Sequence, residues 1–154
     1  MRSTLEDTAG VLLAAGAYYF GTGLDAFAPL VWMAPIPLLA LAFRRSSGRT
    51  AVMAFLAYAL GGLNMAAFLS RLAPPAAVVA ALFVPALAYT LAVLAQRYAL
   101  LRLRHWVSIF AFPAAWTTYE FLVSYLSPHG TATNLAYSQA RALPLVQLAA
   151  VTGL

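Results

Sequence analysis

The chain has 154 residues, of which 64% are hydrophobic and 8% charged, where an ordinary soluble domain has about 45–50% and about 25%. So few charges cannot coat a water-facing surface, and the mean hydropathy of +0.84 points the same way, so a soluble globular protein is excluded and lipid is the expected solvent. The net charge of +5 comes from nine arginines, no lysine and four acids, and because the arginines fill short gaps between apolar runs they indicate membrane topology and no nucleic-acid partner.

Uncharged runs long enough to cross about 30 Å of hydrocarbon need roughly 17–25 residues. They fall at 8–24 and 26–43, with Asp25 between them, then at 50–70, 75–96 and 106–126, the last interrupted by Glu120. A sixth run, 144–154, covers about half a span at about 1.5 Å per residue. The expected fold is therefore all-α and integral to the membrane, a polytopic helical bundle of five complete transmembrane helices plus the start of a sixth. No repeat or linker divides it, so 1–154 reads as a single transmembrane domain. A helix ending in mid-bilayer would leave its carbonyls unpaired, so the chain is expected to be a piece of a longer protein.

Arginine sets the orientation, since cytoplasmic loops collect it. Arg2, then Arg44, Arg45 and Arg49, then Arg97, Arg102 and Arg104 fall on one side; Arg71 and Arg141 fall on the other. The N-terminus is thus predicted to be cytoplasmic. A signal peptide is the competing reading of residues 1–24, but Glu6 and Asp7 interrupt its basic leader and no small-residue cleavage pattern follows. Tyr18, Tyr19 and Phe20, Trp106 and Tyr125 fall at expected interfaces and read as anchors. Pro29, Pro35 and Pro37 predict a kinked second span. Gly61-Gly62 in the third predicts close helix packing.

Candidates for chemistry are few. Glu120 is the one acid inside a predicted span, and an ionisable group there is a functional-site hypothesis because its burial is expensive. Its structural alternative is to reach the interface, pair with Arg141 or cap a neighbouring helix. His105 and His129 have no second His, Cys or acid at ligand spacing, so no metal site is expected. There is no Cys, no G-x-S-x-G and no glycine-rich phosphate loop, and no cofactor is expected. The segment 127–143 is polar for this chain and faces outward, where it could meet a headgroup or dock another domain.

Three stretches carry a family likeness. NLAYSQARALPLVQLAAVTGL (134–154) places Tyr137, Ser138 and Gln139 before Pro144, Gln147, Leu148, Ala149, Thr152 and Gly153; Trp116 and Glu120 form a Trp-x-x-x-Glu on the preceding span, and PLVWMAPIPLLALAFR (29–44) is a tryptophan-bearing helix ending in a basic turn. This pattern resembles the N-terminal membrane domain of bacterial apolipoprotein N-acyltransferases, a nitrilase-linked family. The chain departs from it after Glu120, reading FLVSYLSPHGTAT without the family's usual arginine and Phe-Pro-Trp-like loop.

The resemblance implies a multi-pass protein of the bacterial inner membrane that holds a phospholipid acyl donor and a lipoprotein substrate. A nitrilase-like domain of the same polypeptide would then carry Glu, Lys and Cys and acylate the lipoprotein's N-terminal cysteine. Glu120, Tyr137, Ser138 and Gln139 become candidates for substrate binding or for bracing the outer opening. With no Cys and no Lys, this stretch holds no catalytic residue and is expected to be inactive alone. The alternative is a small non-catalytic polytopic membrane protein or scaffold. A transporter fits least, because internal repeats and midplane polar residues are scarce.

Overall fold

The computed structural model describes residues 2–23, 25–103, 105–127, 130, 134–142 and 147. Among them every regular element is helical: α1 (Arg2–Gly21), α2 (Ala28–Met33), α3 (Ile36–Ala42), α4 (Ser47–Gly61), α5 (Leu63–Leu69), α6 (Pro75–Leu103) and α7 (Ala111–Leu126), with 3₁₀ turns at Trp106–Phe110 and Leu135–Gln139. The chain runs back and forth between two ends. The basic end gathers the start of α1, the α3–α4 connection and the end of α6. The distal end gathers the end of α1, the α4–α5 bend, the start of α6 and the 3₁₀ turn that follows α7.

The expected helices are present, but not as five uniform spans. Among the described residues α6 alone is long and apolar enough to cross a membrane as one helix; α4 and α5 make a second candidate only if counted together, and they are bent by 46°. The bend falls at Gly62, whose N–H still donates to the Tyr58 carbonyl at 2.9 Å. The second expected span is the α2–α3 pair. Pro29 and Pro37 sit in the first turns of the two helices, where the missing N–H leaves no bond unmade, and Pro35 stands at the break between them. The fourth expected span, 75–96, is too short. α6 continues through the arginine-bearing stretch to Leu103, since nothing between Gln96 and Leu103 breaks a helix. The fifth opens with the 3₁₀ turn, so its α-helix starts at Ala111 rather than Trp106. The sixth run, 144–154, lies outside the described residues except for Gln147.

Packing puts α4 between α1 and α6, with α7 on the far side of α6 and α2–α3 against α1. Four helices meet in one aromatic cluster. Tyr89 of α6 is fully buried, with ring centroids 5.4 Å from Tyr18 of α1, 5.1 Å from Tyr58 of α4 and 5.6 Å from Phe112 of α7. Trp116 of α7 lies 5.3 Å from Tyr58. Such pairs add about 0.5–1.5 kcal/mol each beyond area burial. Tyr18 is therefore a core residue and not the interfacial anchor expected from its neighbours; Tyr19 and Phe20 are the exposed pair. Gln96, buried beneath the cluster, accepts from the Phe112 N–H at 2.8 Å and ties α6 to α7.

Ion pairs close the basic end. Arg45 donates through Nε to Asp7 Oδ1 at 2.6 Å and through Nη2 to Glu6 Oε2 at 2.8 Å, while Arg49 pairs with the other oxygen of Asp7. These hydrogen bonds push the Arg45 guanidinium further above its already high value, so it is a permanent cation. Arg97 forks onto two carbonyls, Nε to Ala42 at 2.9 Å and Nη2 to Arg45 at 2.9 Å, where the end of α3 favours positive charge. Along the helices between the two ends the described surface is largely apolar: Leu12, Leu13, Val52, Val84 and Leu91 stand more than half exposed. A water-facing protein rarely carries apolar surface on this scale.

Candidate functional site

The distal end holds a half-open pocket of about 260 Å³. Its floor is the aromatic cluster, through Tyr18 and Tyr58. One side is the α4–α5 bend, with Gly62, Asn64 and Met65; the opposite side is α6, with Leu82 and Pro85; and the segment 134–138 forms the wall toward α7. Glycine is required at the base. A Cβ on Gly61 would overlap Tyr18 Cβ and lie 3.1 Å from the Ala15 carbonyl, so α1 and α4 approach this closely only without one. Pro85 has no N–H for the Ala81 carbonyl one turn earlier, and both residues line the cavity.

Asn64 secures the α5 side. Its Nδ2 donates to the carbonyls of Tyr19 and Thr22, both at 2.8 Å, so the bend is tied to the end of α1. Among the described residues its buried Oδ1 meets no donor. This residue, with Tyr58, Gly62 and Pro85, was not singled out as a site from sequence. The signal present was a lone polar side chain in an otherwise apolar third span.

The sequence-predicted residues gather at the opposite wall. Glu120 Oε1 accepts the Leu135 N–H at 2.6 Å, which fixes the start of the 3₁₀ turn to α7. Asn134 caps that turn by accepting from the Ala136 N–H at 2.7 Å. Gln139 ties its end to α2: Oε1 accepts from Trp32 Nε1 at 3.2 Å, and Nε2 donates to the Ala28 carbonyl at 3.2 Å and to Ser138 Oγ at 2.9 Å. Ser138 Oγ in turn donates to the Leu135 carbonyl at 2.7 Å. Ser138 and Gln139 are buried in this seam, while Tyr137 is half exposed and, like Ser138, lines the cavity. Trp116 stands one turn before Glu120, and among the described residues its buried indole N–H makes no hydrogen bond.

Glu120 therefore does not pair with Arg141. Arg141 bonds Asp25 at 2.9 Å, with both side chains largely exposed. His105 is an exposed capping residue whose Nδ1 accepts from the Val107 N–H at 3.3 Å, and His129 lies outside the described residues. No group of three or more His, Cys, Asp or Glu able to hold a metal occurs among the described residues. Among the described residues no hydroxyl at this wall stands beside a base: Ser138 Oγ is engaged with the Leu135 carbonyl and Gln139 Nε2. What the arrangement offers is an apolar chamber with aromatic floor and polar rim, suited to an apolar chain with a polar end.

An all-helical bundle with an apolar surface and a chamber at one end is the class that fold and site define among the described residues. Residues 9–154 match the apolipoprotein N-acyltransferase N-terminal domain, and the chain belongs to that family, one of bacterial membrane proteins. No curated protein and no solved structure matches it.

Proposed function

We propose that this chain is the membrane domain of an apolipoprotein N-acyltransferase-like protein and that its distal chamber receives an acyl chain of the phospholipid donor. The observation that carries the reading is the family match over 9–154 together with an apolar chamber at the end of the bundle opposite most of the arginines. With the basic end cytoplasmic, the chamber faces the outer side of the inner membrane. There a nitrilase-like domain of the same polypeptide would meet donor and lipoprotein.

In this reading the chain crosses the membrane several times and binds and orients, and the thioester chemistry belongs to the other domain. Glu120, Ser138 and Gln139 brace the wall at 134–139, and Tyr137 stands at the opening. The purified 154-residue chain is expected to transfer no acyl group, and turnover in such a sample would overturn that part. The direct test reconstitutes the protein with a phospholipid bearing a photoreactive group at the end of one acyl chain and maps the adducts. Crosslinks concentrated on Met65, Leu82 and neighbouring chamber residues are expected; adducts confined to the outward faces of α1 and α6 would remove the chamber from the reading.

A further inference from the structure

We propose a second lipid site at the basic end: the turn that carries Arg44, together with Arg97, seats the phosphate of an anionic phospholipid. It is independent of what the distal chamber holds. The argument begins with an account of every acidic side chain. Glu6 is taken by Arg45, Asp7 by Arg45 and Arg49, Asp25 by Arg141, and Glu120 by the Leu135 N–H. No acid is left for Arg44, Arg97 or Arg102. By sequence, segments 1–7, 43–49 and 97–105 hold seven arginines against two acids, an excess of five that equals the whole net charge; the remainder, with two of each, is neutral.

Geometry narrows this excess to one place. Arg97 spends Nε and Nη2 on the carbonyls of Ala42 and Arg45, which anchors its guanidinium on the very turn from which Arg44 projects. Arg44 is exposed and has no side-chain partner among the described residues. Arg102 lies over the Tyr98 ring at 5.8 Å, on the next turn of α6. Next to these cations in the chain come exposed Phe43, Tyr98 and Leu101 and, past the end of α6, exposed Trp106, aromatic and apolar side chains of the kind that sit at headgroup level. A free phosphate would gain nothing from those side chains, whereas a lipid uses both. Basic clusters at helix ends recognise anionic headgroups in this way.

The test uses the full chain, purified in mild detergent with mixed phosphatidylglycerol and phosphatidylcholine, and measures retained lipid by native mass spectrometry. Phosphatidylglycerol is expected to be retained several-fold over phosphatidylcholine. Arg44→Gln, which removes no side-chain bond among the described residues, should abolish most of that preference; Arg97→Lys, which keeps the charge, should preserve it; Arg71→Gln at the distal end should leave it intact. Equal retention of the two lipids, an equal loss with Arg71→Gln, or displacement of the lipid by millimolar inorganic phosphate would each overturn the proposal.

Discussion

The two ends of the bundle solve the same problem, joining helices across a polar boundary, with different chemistry. At the basic end a buried acid, Asp7, receives two guanidinium groups, and Arg97 closes the α3–α4 turn from the side. At the distal end neutral groups do most of the joining: Asn64 to the carbonyls of α1, Gln139 to Trp32 and Ala28, with Glu120 bonded to a backbone N–H. Charge pairs shut one end; the other is propped open around a chamber. A low-dielectric, multiply bonded ion pair is costly to break by removing one partner, whereas single neutral bonds contribute about 1 kcal/mol each. Removing one partner should therefore cost more at the basic end than at the distal end.

The contrast is most severely tested at Asp7. Asp7→Ala should strand Arg45 and Arg49 without their acid and cost about 3 kcal/mol, the lower edge for a broken buried pair because Arg49 is partly exposed; thermal unfolding in detergent followed by circular dichroism reads it. A loss below about 1 kcal/mol would mean the ion pairs do not lock this end.

Glycines give the next largest difference. Gly61→Ala forces a Cβ into Tyr18 and the Ala15 carbonyl and should destabilise by about 2 kcal/mol through overpacking. Gly16, in the middle of the same α1, has open space at its Cβ position, so Gly16→Ala should stabilise by up to about 1 kcal/mol. Equal effects would show that α1 and α4 are not in close contact at the chamber floor.

At the distal wall, Glu120→Ala removes a charge-assisted bond to the Leu135 N–H and should cost about 1.5 kcal/mol. Its sharper readout is amide hydrogen exchange, which should accelerate at Leu135 and its turn while α1 and α4 stay protected. If the chain acts within a longer acyltransferase, as proposed, Glu120→Gln with unchanged folding and turnover in that protein would take this residue off the list of site candidates. The smallest effect belongs to the exposed Asp25–Arg141 pair, with side chains 91% and 70% exposed: Arg141→Gln should shift stability by less than about 0.5 kcal/mol, and a larger shift would mean the distal end relies on charge after all.

Much of this molecule is determined by composition and spacing alone. The apolar runs dictate helices because in lipid each backbone polar group must be satisfied within its own segment, and the run of arginines at alternate gaps distinguishes the two ends. The prolines at 35 and 37 mark the α2–α3 break because a missing N–H and ring clash interrupt a continuous helix locally, whereas both are tolerated at the start of a new one. Trp116 and Glu120 were legible as a motif, and so was the Tyr137-Ser138-Gln139 turn.

Tertiary structure decided the rest, because it depends on which residues far apart in the chain become neighbours. Tyr18 looks like Tyr19 and Phe20 in sequence, yet only Tyr18 faces α4 and α6 and is buried. Glu6 and Asp7 read as an interruption of a leader; their partners are some 40 residues away and no local pattern announces them. Asn64, Gly62 and Pro85 become chamber residues only when the α4–α5 bend meets α6. Glu120 finds a backbone N–H rather than the arginine that charge alone would have assigned it. Local sequence sets helix, kink and polarity through short-range backbone physics, and long-range packing alone determines which polar groups meet and where a space is left.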